Sequence, residues 1–182
     1  MTDDAVDTLV DGSAPTTPEA LLAHLERLGI SSETAEHPAV YTVEEAKALR
    51  GELPGAHTKN LFVRDKKGVM WLVVVLESRP VDLRATAEAL GHKRFSFGSP
   101  KRLMHYLGVR PGSVTPLALI NDRGGAVRVA LDVGLRDAAP WNFHPLTNTM
   151  TTTLMPADML RFLDSVDHEP VWVDFDTMQR AE

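Results

Sequence analysis

The chain has 182 residues, a net charge of −6, a hydrophobic fraction of 43% and no cysteine. This length suits one domain with its own core, and the lack of cysteine excludes disulfides, a thiol nucleophile and thiolate metal ligands. No run approaches the roughly 20 apolar residues that a membrane span requires, and the N-terminus has four aspartates in place of the basic start of a secretory signal, so we expect a cytoplasmic protein with no membrane partner.

The first half of the chain is predicted to contain a tail, two helices and a hairpin. Residues 1–15 are acidic and poor in aromatic side chains, which is typical of a disordered tail. A helix is expected from an N-cap at Thr17 to a stop at Gly29, and a second at residues 43–49. Residues 60–64 and 70–76 are predicted strands joined by a polar turn, and the second is apolar throughout, as in a central strand.

The second half continues the mixture of helices and strands. A helix is expected at residues 82–90, and another from an N-cap at Ser99 to a stop at Gly108. The remaining predictions are a hairpin of strands 117–120 and 127–131, a strand at 149–154, a helix at 156–166 and a strand at 171–173.

These elements predict a single α/β domain. Strands and helices mix without a regular βαβ repeat, so we expect a mixed, mainly antiparallel, barrel-like sheet surrounded by helices. The expected limits are a tail at residues 1–15, the domain at 16–176 and a short C-terminal tail at 177–182.

The charges are unevenly distributed along the chain. Residues 89–121 contain five lysines and arginines and no acidic residue: Lys93, Arg94, Lys101, Arg102 and Arg110. A basic face can bind nucleic acid even when the total charge is negative. An ordinary solvated surface explains the same window equally well.

Two adjacent polar residues, Lys59 and Asn60, precede the apolar residues of the first hairpin strand. A lysine at the start of a buried strand can direct its ammonium into a pocket and bind a phosphate, a ribose oxygen or a developing oxyanion. Taken singly, a solvated lysine and a turn-capping asparagine are the ordinary interpretations.

His144 lies before Pro145, which disfavours helix at the histidine and fixes the local backbone. An imidazole held there can present one nitrogen to a substrate amine or hydroxyl. A satisfied structural histidine is the common alternative, and Asn148 can equally be a turn former.

A glycine and a proline bracket the segment from Gly112 to Pro116. Such a loop can bring main-chain N–H groups close to a small ligand, although a plain turn fits the spacing as well. The full segment is Gly112, Ser113, Val114, Thr115 and Pro116. Phosphate-binding glycine motifs, zinc-ligand spacing and the serine-hydrolase motif are lacking, so we predict no metal and no cofactor.

Taken together, these segments resemble the free-standing relatives of the prolyl-tRNA synthetase editing domain. The resemblance spans roughly residues 21–174. It depends on five segments in the same order: His37-Pro38; Gly55 with Lys59-Asn60-Leu61-Phe62; Phe97-Gly98-Ser99; the Gly112–Pro116 loop; and His144-Pro145-Leu146 with Asn148 and Thr151.

The resemblance implies a role for each candidate residue. Lys59 and Asn60 are expected to hold the terminal adenosine and the ester, and His144 to shape the amino-acid pocket. The glycine-proline loop and Asn148 are expected to contact the substrate. The expected contacts to the tRNA acceptor stem are Lys93, Arg94 and Lys101.

The resemblance also implies an activity: hydrolysis of the ester of mischarged alanyl-tRNA(Pro), without a cofactor. Alanine is favoured over cysteine because the His-Pro-Leu-x-Asn segment is typical of the alanine-removing branch. The expected partners are the acceptor end of proline tRNA and, as a candidate, prolyl-tRNA synthetase. A deacylase for cysteinyl or another mischarged tRNA, a non-catalytic module that binds tRNA ends, and a small-molecule-binding α/β domain remain alternatives.

Overall fold

A computed structural model describes residues 7–39, 41–50 and 53–181. The described residues contain five α-helices and a nine-stranded sheet. The helices are α1 (Pro18–Arg27), α2 (Val43–Arg50), α3 (Leu83–Ala89), α4 (Pro100–Leu107) and α5 (Pro156–Ser165). The strands are β1 (Ser32–Glu36), β2 (Ala56–Arg64), β3 (Met70–Leu76), β4 (Ser96–Phe97), β5 (Val127–Asp132), β6 (Trp141–Phe143), β7 (Met150–Leu154), β8 (Val171–Asp174) and β9 (Gln179–Ala181).

The strands lie in the order β1-β7-β6-β2-β3-β5-β8-β9, with β4 paired to β2. Three of the pairings are parallel, β2 with β6, β3 with β5 and β5 with β8, and the other five are antiparallel. The predicted α/β class with a mixed, mainly antiparallel sheet is confirmed.

The predicted helix ends follow from local hydrogen bonds. The side chain of Thr17 accepts from the N–H of Ala20 before α1, and the side chain of Ser99 accepts from the N–H of Arg102 before α4. Such caps satisfy N–H groups that have no partner within the helix. Gly108 ends α4 with φ 63°, a left-handed conformation that glycine adopts without a steric cost.

Strand β3 is central, as its apolar sequence predicted. Its side chains alternate between two buried clusters, with Leu72 and Val74 on one face and Val73 and Val75 on the other. The first cluster includes side chains of α1, α4 and α5, and the second includes Ala87 of α3. Burial on both faces explains why no polar residue interrupts this strand.

The predicted strand at residues 117–120 is wrong. Residues Pro116–Asn121 form a 3-10 helix, in which Thr115 is the N-cap and its hydroxyl accepts from the N–H of Leu117 at 3.3 Å. A short apolar run fits either a strand or a buried helical turn, and here the capping threonine followed by proline decides for the helical turn. Consequently no 117–131 hairpin forms, and β5 pairs in parallel with β3 and β8 instead.

Both predicted tails contain residues that contact the domain. In the N-terminal segment Leu9 is buried, and Val10 donates its N–H to the carbonyl of His105 in α4. Near the C-terminus β9 pairs with β8. Residues 1–6 and 182 lie outside the described residues. No helix in the described part of the chain has the length and apolar character needed to cross a membrane.

Candidate active site

The pairing along one edge of β2 is interrupted. On this edge β6 pairs with Ala56 and His57, and β4 pairs with Val63 and Arg64. Among the described residues, no strand pairs with residues 58–62 on this edge. The sheet therefore has a gap between β6 and β4, which we call the β2 gap, and the predicted residues Lys59 and Asn60 lie in its middle.

Main-chain groups point into the β2 gap. In an antiparallel pair, alternate residues direct both N–H and C=O away from the partner strand. The N–H of Ala56 donates to the carbonyl of Pro140 at 2.8 Å, and the carbonyl of Phe62 accepts from the N–H of Gly98 at 2.9 Å, so even-numbered residues face away from β3. By this alternation the N–H and C=O of Asn60 face the gap, and no hydrogen bond to either group is found among the described residues.

The side chains of Lys59 and Asn60 leave β2 on opposite faces of the sheet. Lys59 pairs with Val75, whose side chain belongs to the cluster next to α3, whereas Asn60 pairs with Val74 of the other cluster. Lys59 was expected at the start of a strand, but β2 begins at Ala56 and the lysine lies within it. Among the described residues, no hydrogen bond or ion pair to the partly buried Lys59 side chain is found.

Asn60 joins β2 to the glycine-proline loop. Its Nδ2 donates to the carbonyl of Val114 at 3.0 Å, and its Oδ1 accepts from the hydroxyl of Thr58 at 3.2 Å. These two bonds fix the orientation of the amide. The structure therefore brings together Asn60 and the Gly112–Pro116 loop, which are distant in the sequence.

His144 and Lys59 lie beyond the same end of the β2–β6 pairing. The parallel strands β2 and β6 pair last at His57 and Asn142, and Lys59 and His144 each lie two residues beyond that pair. Adjacent parallel strands run in the same direction, so both residues lie just beyond the same end of the paired segment of β2 and β6. The sheet topology thus joins the two segments that were singled out in the sequence.

The imidazole of His144 is held as a neutral acceptor. Its Nδ1 donates to the carbonyl of Met150 at 2.8 Å, which leaves Nε2 without a proton in the neutral ring. Burial lowers the pKa of His144, the bond to the Met150 carbonyl opposes this, and the nearby His37 lowers the pKa further. The ring can therefore accept a hydrogen bond from a substrate at neutral pH.

A second histidine lies beside the first. The rings of His37 and His144 have centroids 6.1 Å apart. Nδ1 of His37 is 2.9 Å from the carbonyl of Pro38, and its Nε2 is 2.8 Å from the hydroxyl of Thr151. The carbonyl can only accept, so in the neutral ring Nε2 accepts from Thr151. The two His-Pro segments of the chain thus meet at one place.

A groove of about 460 Å³ lies next to this region. Its lining includes the predicted substrate residues Ser113 and Asn148, together with Arg110 and Leu146. Leu146 has φ 67°, a left-handed conformation that is strained for a leucine, and its side chain is buried in the core cluster next to α1. Lys59, Asn60 and His144 do not line this groove.

Three residues of the predicted loop, Gly112, Thr115 and Pro116, do not line the groove. Gly112 has φ 92°, which a residue with a side chain rarely adopts, and it allows the sharp turn that leads into Ser113. Thr115 and Pro116 are buried at the start of the 3-10 helix, where the Thr115 hydroxyl accepts from the N–H of Leu117.

The predicted RNA-binding residues do not line this groove. Lys93, Arg94 and Lys101 are exposed. Lys93 and Arg94 line a second cavity of about 530 Å³ at the start of α3, and Lys101 lies in the first turn of α4. Within the described part of the chain, no three His, Asp or Glu side chains are grouped so that they could hold a metal ion.

Comparison with known proteins identifies the family of this chain. The family model described as aminoacyl-tRNA editing domain matches residues 37–162. The chain belongs to the aminoacyl-tRNA editing domain family. The match includes the β2 gap, the glycine-proline loop and both histidines, so the predicted resemblance is confirmed.

Two relatives illustrate the range of this editing domain family. The prolyl-tRNA synthetase associated domain-containing protein 1 of Danio rerio is 40% identical over 171 residues, which cover 91% of this chain and 93% of the relative. The prolyl-tRNA editing protein ProX of Acetoanaerobium sticklandii is 34% identical over 142 residues, which cover 78% of this chain and 87% of the relative.

A solved structure has the same fold as this editing domain. It is a crystal structure described as a candidate trans-editing enzyme for prolyl-tRNA synthetase, with a TM-score of 0.66 and 19% identity. The alignment covers 93% of this chain and 99% of that chain.

Several residues at the site have positions that the sequence did not reveal. Thr58 orients Asn60, Thr151 orients His37, and His37 itself lies beside His144. One signal in the sequence could have indicated the histidine pair, because the His-Pro dipeptide occurs twice, at His37 and at His144.

Proposed function

We propose that this protein is a trans-editing deacylase that hydrolyses the ester of mischarged alanyl-tRNA(Pro). The observation that carries the proposal is the β2 gap. Next to it, Lys59, which has no hydrogen bond or ion pair among the described residues, and the neutral imidazole of His144 lie just beyond the paired segment of β2 and β6. Membership of the aminoacyl-tRNA editing domain family supplies the substrate class.

The proposed chemistry is attack of water on the ester carbonyl. The bond between the acyl carbon and the ribose oxygen breaks, the ribose oxygen takes a proton, and alanine and tRNA are released. Donors for the developing oxyanion are the ammonium of Lys59 and the N–H of Asn60 that faces the gap. The free ribose hydroxyl of the terminal adenosine helps to position the water.

His144 recognises the amino acid in this mechanism. Because its Nδ1 donates to Met150, its Nε2 accepts from the ammonium of the aminoacyl group. The bond from Asn60 to Val114 holds the glycine-proline loop against β2, so the loop limits the space beside the ester.

Limited space is the proposed basis of selectivity. A synthetase pocket built for proline rejects a smaller apolar amino acid only weakly, since each missing methylene is worth about 1–3 kcal/mol. An editing site that admits alanine and excludes proline removes the resulting error. The names of the relatives, which refer to prolyl-tRNA synthetase and to prolyl-tRNA editing, support proline tRNA as the carrier.

The tRNA acceptor stem is proposed to contact Lys93, Arg94 and Lys101. All three are exposed cations in the window that lacks acidic residues, and phosphate contacts come mainly from such side chains. Prolyl-tRNA synthetase is the second proposed partner, and the cytoplasm is the proposed compartment because charged tRNA is made and used there.

The test is release of amino acid from proline tRNA charged with labelled alanine, cysteine or proline. We expect release of alanine and retention of proline. Lys59→Ala should lower kcat/KM for alanine release by about 10²-fold, the usual effect of removing an oxyanion donor. Lys66→Ala, in the turn between β2 and β3, is the matched control because it removes an exposed lysine from the same hairpin.

Other outcomes separate the alternatives. Preferential release of cysteine would identify a deacylase of different specificity. Salt-dependent binding of tRNA without release of any amino acid would identify a module that only binds tRNA ends. Full activity of Lys59→Ala would contradict the role given to this lysine.

A further inference from the structure

The N-terminal segment, residues 7–13, is held against the groove side of the domain. Leu9 is only 3% exposed, and its N–H donates to the carbonyl of Ser13 at 2.9 Å. The N–H of Val10 donates to the carbonyl of His105 at 2.8 Å. One buried leucine and one main-chain bond to α4 therefore anchor this segment.

The anchored segment brings an acidic side chain to Arg110. Oδ2 of Asp7 accepts from Nη2 of Arg110 at 2.5 Å and from its Nε at 3.2 Å. Two guanidinium N–H groups thus converge on one carboxylate oxygen. Arginine presents the same pair of donors to a phosphate oxygen.

Arg110 lies at the groove beside the glycine-proline loop. It lines the 460 Å³ groove together with Asp7, Ser113 and Asn148. Ser113 directly precedes Val114, whose carbonyl accepts from Asn60 in the β2 gap. A nucleotide chain that leads to the gap along this groove would pass the guanidinium of Arg110.

We propose that Arg110 binds a phosphate near the 3′ end of the tRNA, and that the carboxylate of Asp7 occupies this phosphate position in the free protein. The N-terminal segment then competes with the substrate for the groove. This inference rests on the proposed function, because it assigns a further contact to the same substrate.

The exposure of the pair sets the size of the effect. The side chains of Arg110 and Asp7 are 78% and 43% exposed. Exposed ion pairs are weak and screened by salt, so a tRNA can displace this carboxylate. Removing it should therefore change tRNA affinity by about two- to fivefold, and less at high salt.

The experiment uses full-length protein and uncharged proline tRNA as the probe. Asp7→Asn should tighten the Kd for this tRNA by about two- to fivefold at low salt, and lower the KM for its alanyl form to the same degree. Asp11→Asn is the matched control. It makes the same change of net charge, but Asp11 pairs with Arg123, at 3.6 Å, and neither residue lines the groove.

Arg110→Gln tests the phosphate contact itself. This variant should bind tRNA more weakly, and the slope of log Kd against log salt concentration should decrease by about one. Adding Asp7→Asn to Arg110→Gln should not change the tRNA affinity further, because the Asp7 carboxylate then has no arginine to pair with.

Three outcomes would overturn this inference. The first is an equal gain from Asp7→Asn and Asp11→Asn, which would mean that only net charge matters. The second is unchanged tRNA affinity in Arg110→Gln. In both cases alanine release by the wild-type protein would leave the proposed function intact. Absence of both tRNA binding and release by the wild-type protein would overturn the inference and the proposed function together.

Discussion

Replacing Asn60 by alanine removes two hydrogen bonds, one from β2 to the glycine-proline loop and one within β2. The donor to the carbonyl of Val114 at 3.0 Å is lost, and so is the acceptor of the Thr58 hydroxyl at 3.2 Å. Each such bond contributes about 0.5–1.5 kcal/mol, and a carbonyl left without a partner adds to the loss, so we expect a decrease of about 2 kcal/mol in the free energy of unfolding. Thr58→Val removes only the second bond and should cost about 1 kcal/mol or less.

Asn60→Asp keeps the bond within β2 and removes the bond to the loop. A carboxylate can still accept from Thr58, but it cannot donate to the carbonyl of Val114. We therefore expect a loss at least as large as that of Asn60→Ala at neutral pH.

Urea denaturation of the three variants measures these differences, and alanine release measures the effect on the loop. A loop displaced by about 1 Å should lower kcat/KM for alanyl-tRNA(Pro) by tenfold or more in both Asn60 variants. The reasoning would be refuted if Thr58→Val cost as much as Asn60→Ala, or if Asn60→Asp were as stable and active as the wild-type protein.

Three further predictions concern pH, backbone geometry and RNA binding. The proposed mechanism needs neutral His144, and burial lowers the pKa of this histidine from its ordinary value of 6.5. Alanine release should therefore fall as the pH decreases below 6.5 through the lowered pKa, and His144→Gln should give a flatter pH profile. The same shift contributes stability above pH 6.5 that is lost as the pH falls through the lowered pKa, so the urea midpoint should decrease in that window, and less in His144→Gln. Gly55→Ala should destabilise the fold by about 3 kcal/mol or more in a thermal unfolding assay, because at φ +101° its Cβ would lie 2.2 Å from the backbone carbonyl oxygen of Pro140. Gly68→Ala is the control: Gly68 has φ +87° but open space around it, so this variant should cost only about 1 kcal/mol in the same assay. Replacing Lys93 and Arg94 together by glutamine should reduce the slope of log Kd against log salt for tRNA by about two, and an unchanged slope would place the acceptor stem elsewhere.

Elements with local signals could be predicted from the sequence. Helix caps act within a few residues, so short stretches of sequence predict them. The examples are the capping side chains of Thr17 and Ser99 and the left-handed Gly108. The apolar run of β3 likewise indicated burial on both faces. The same local information could not distinguish a strand from the 3-10 helix at Pro116–Asn121, because both bury a short apolar run.

Features that depend on where distant strands stop pairing could not be predicted. Strand β6 has only three residues, and it exists because β2 and β7 bracket it in the sheet. The β2 gap is likewise a property of where β6 and β4 stop, which no short segment encodes. The sequence indicated Lys59 and Asn60 as neighbours, but only the strand geometry separates their side chains onto opposite faces.

The position of the Asn60 main chain affects how this protein should be studied. Every residue type except proline carries the same peptide N–H, so side-chain substitution at this position leaves that donor in place. Alanine scanning would therefore underestimate any catalytic contribution of the peptide group. Replacing the amide between Lys59 and Asn60 by an ester, through chemical synthesis or nonsense suppression, would remove this donor while keeping the Asn60 side chain, and would measure a contribution that conventional mutagenesis cannot reach.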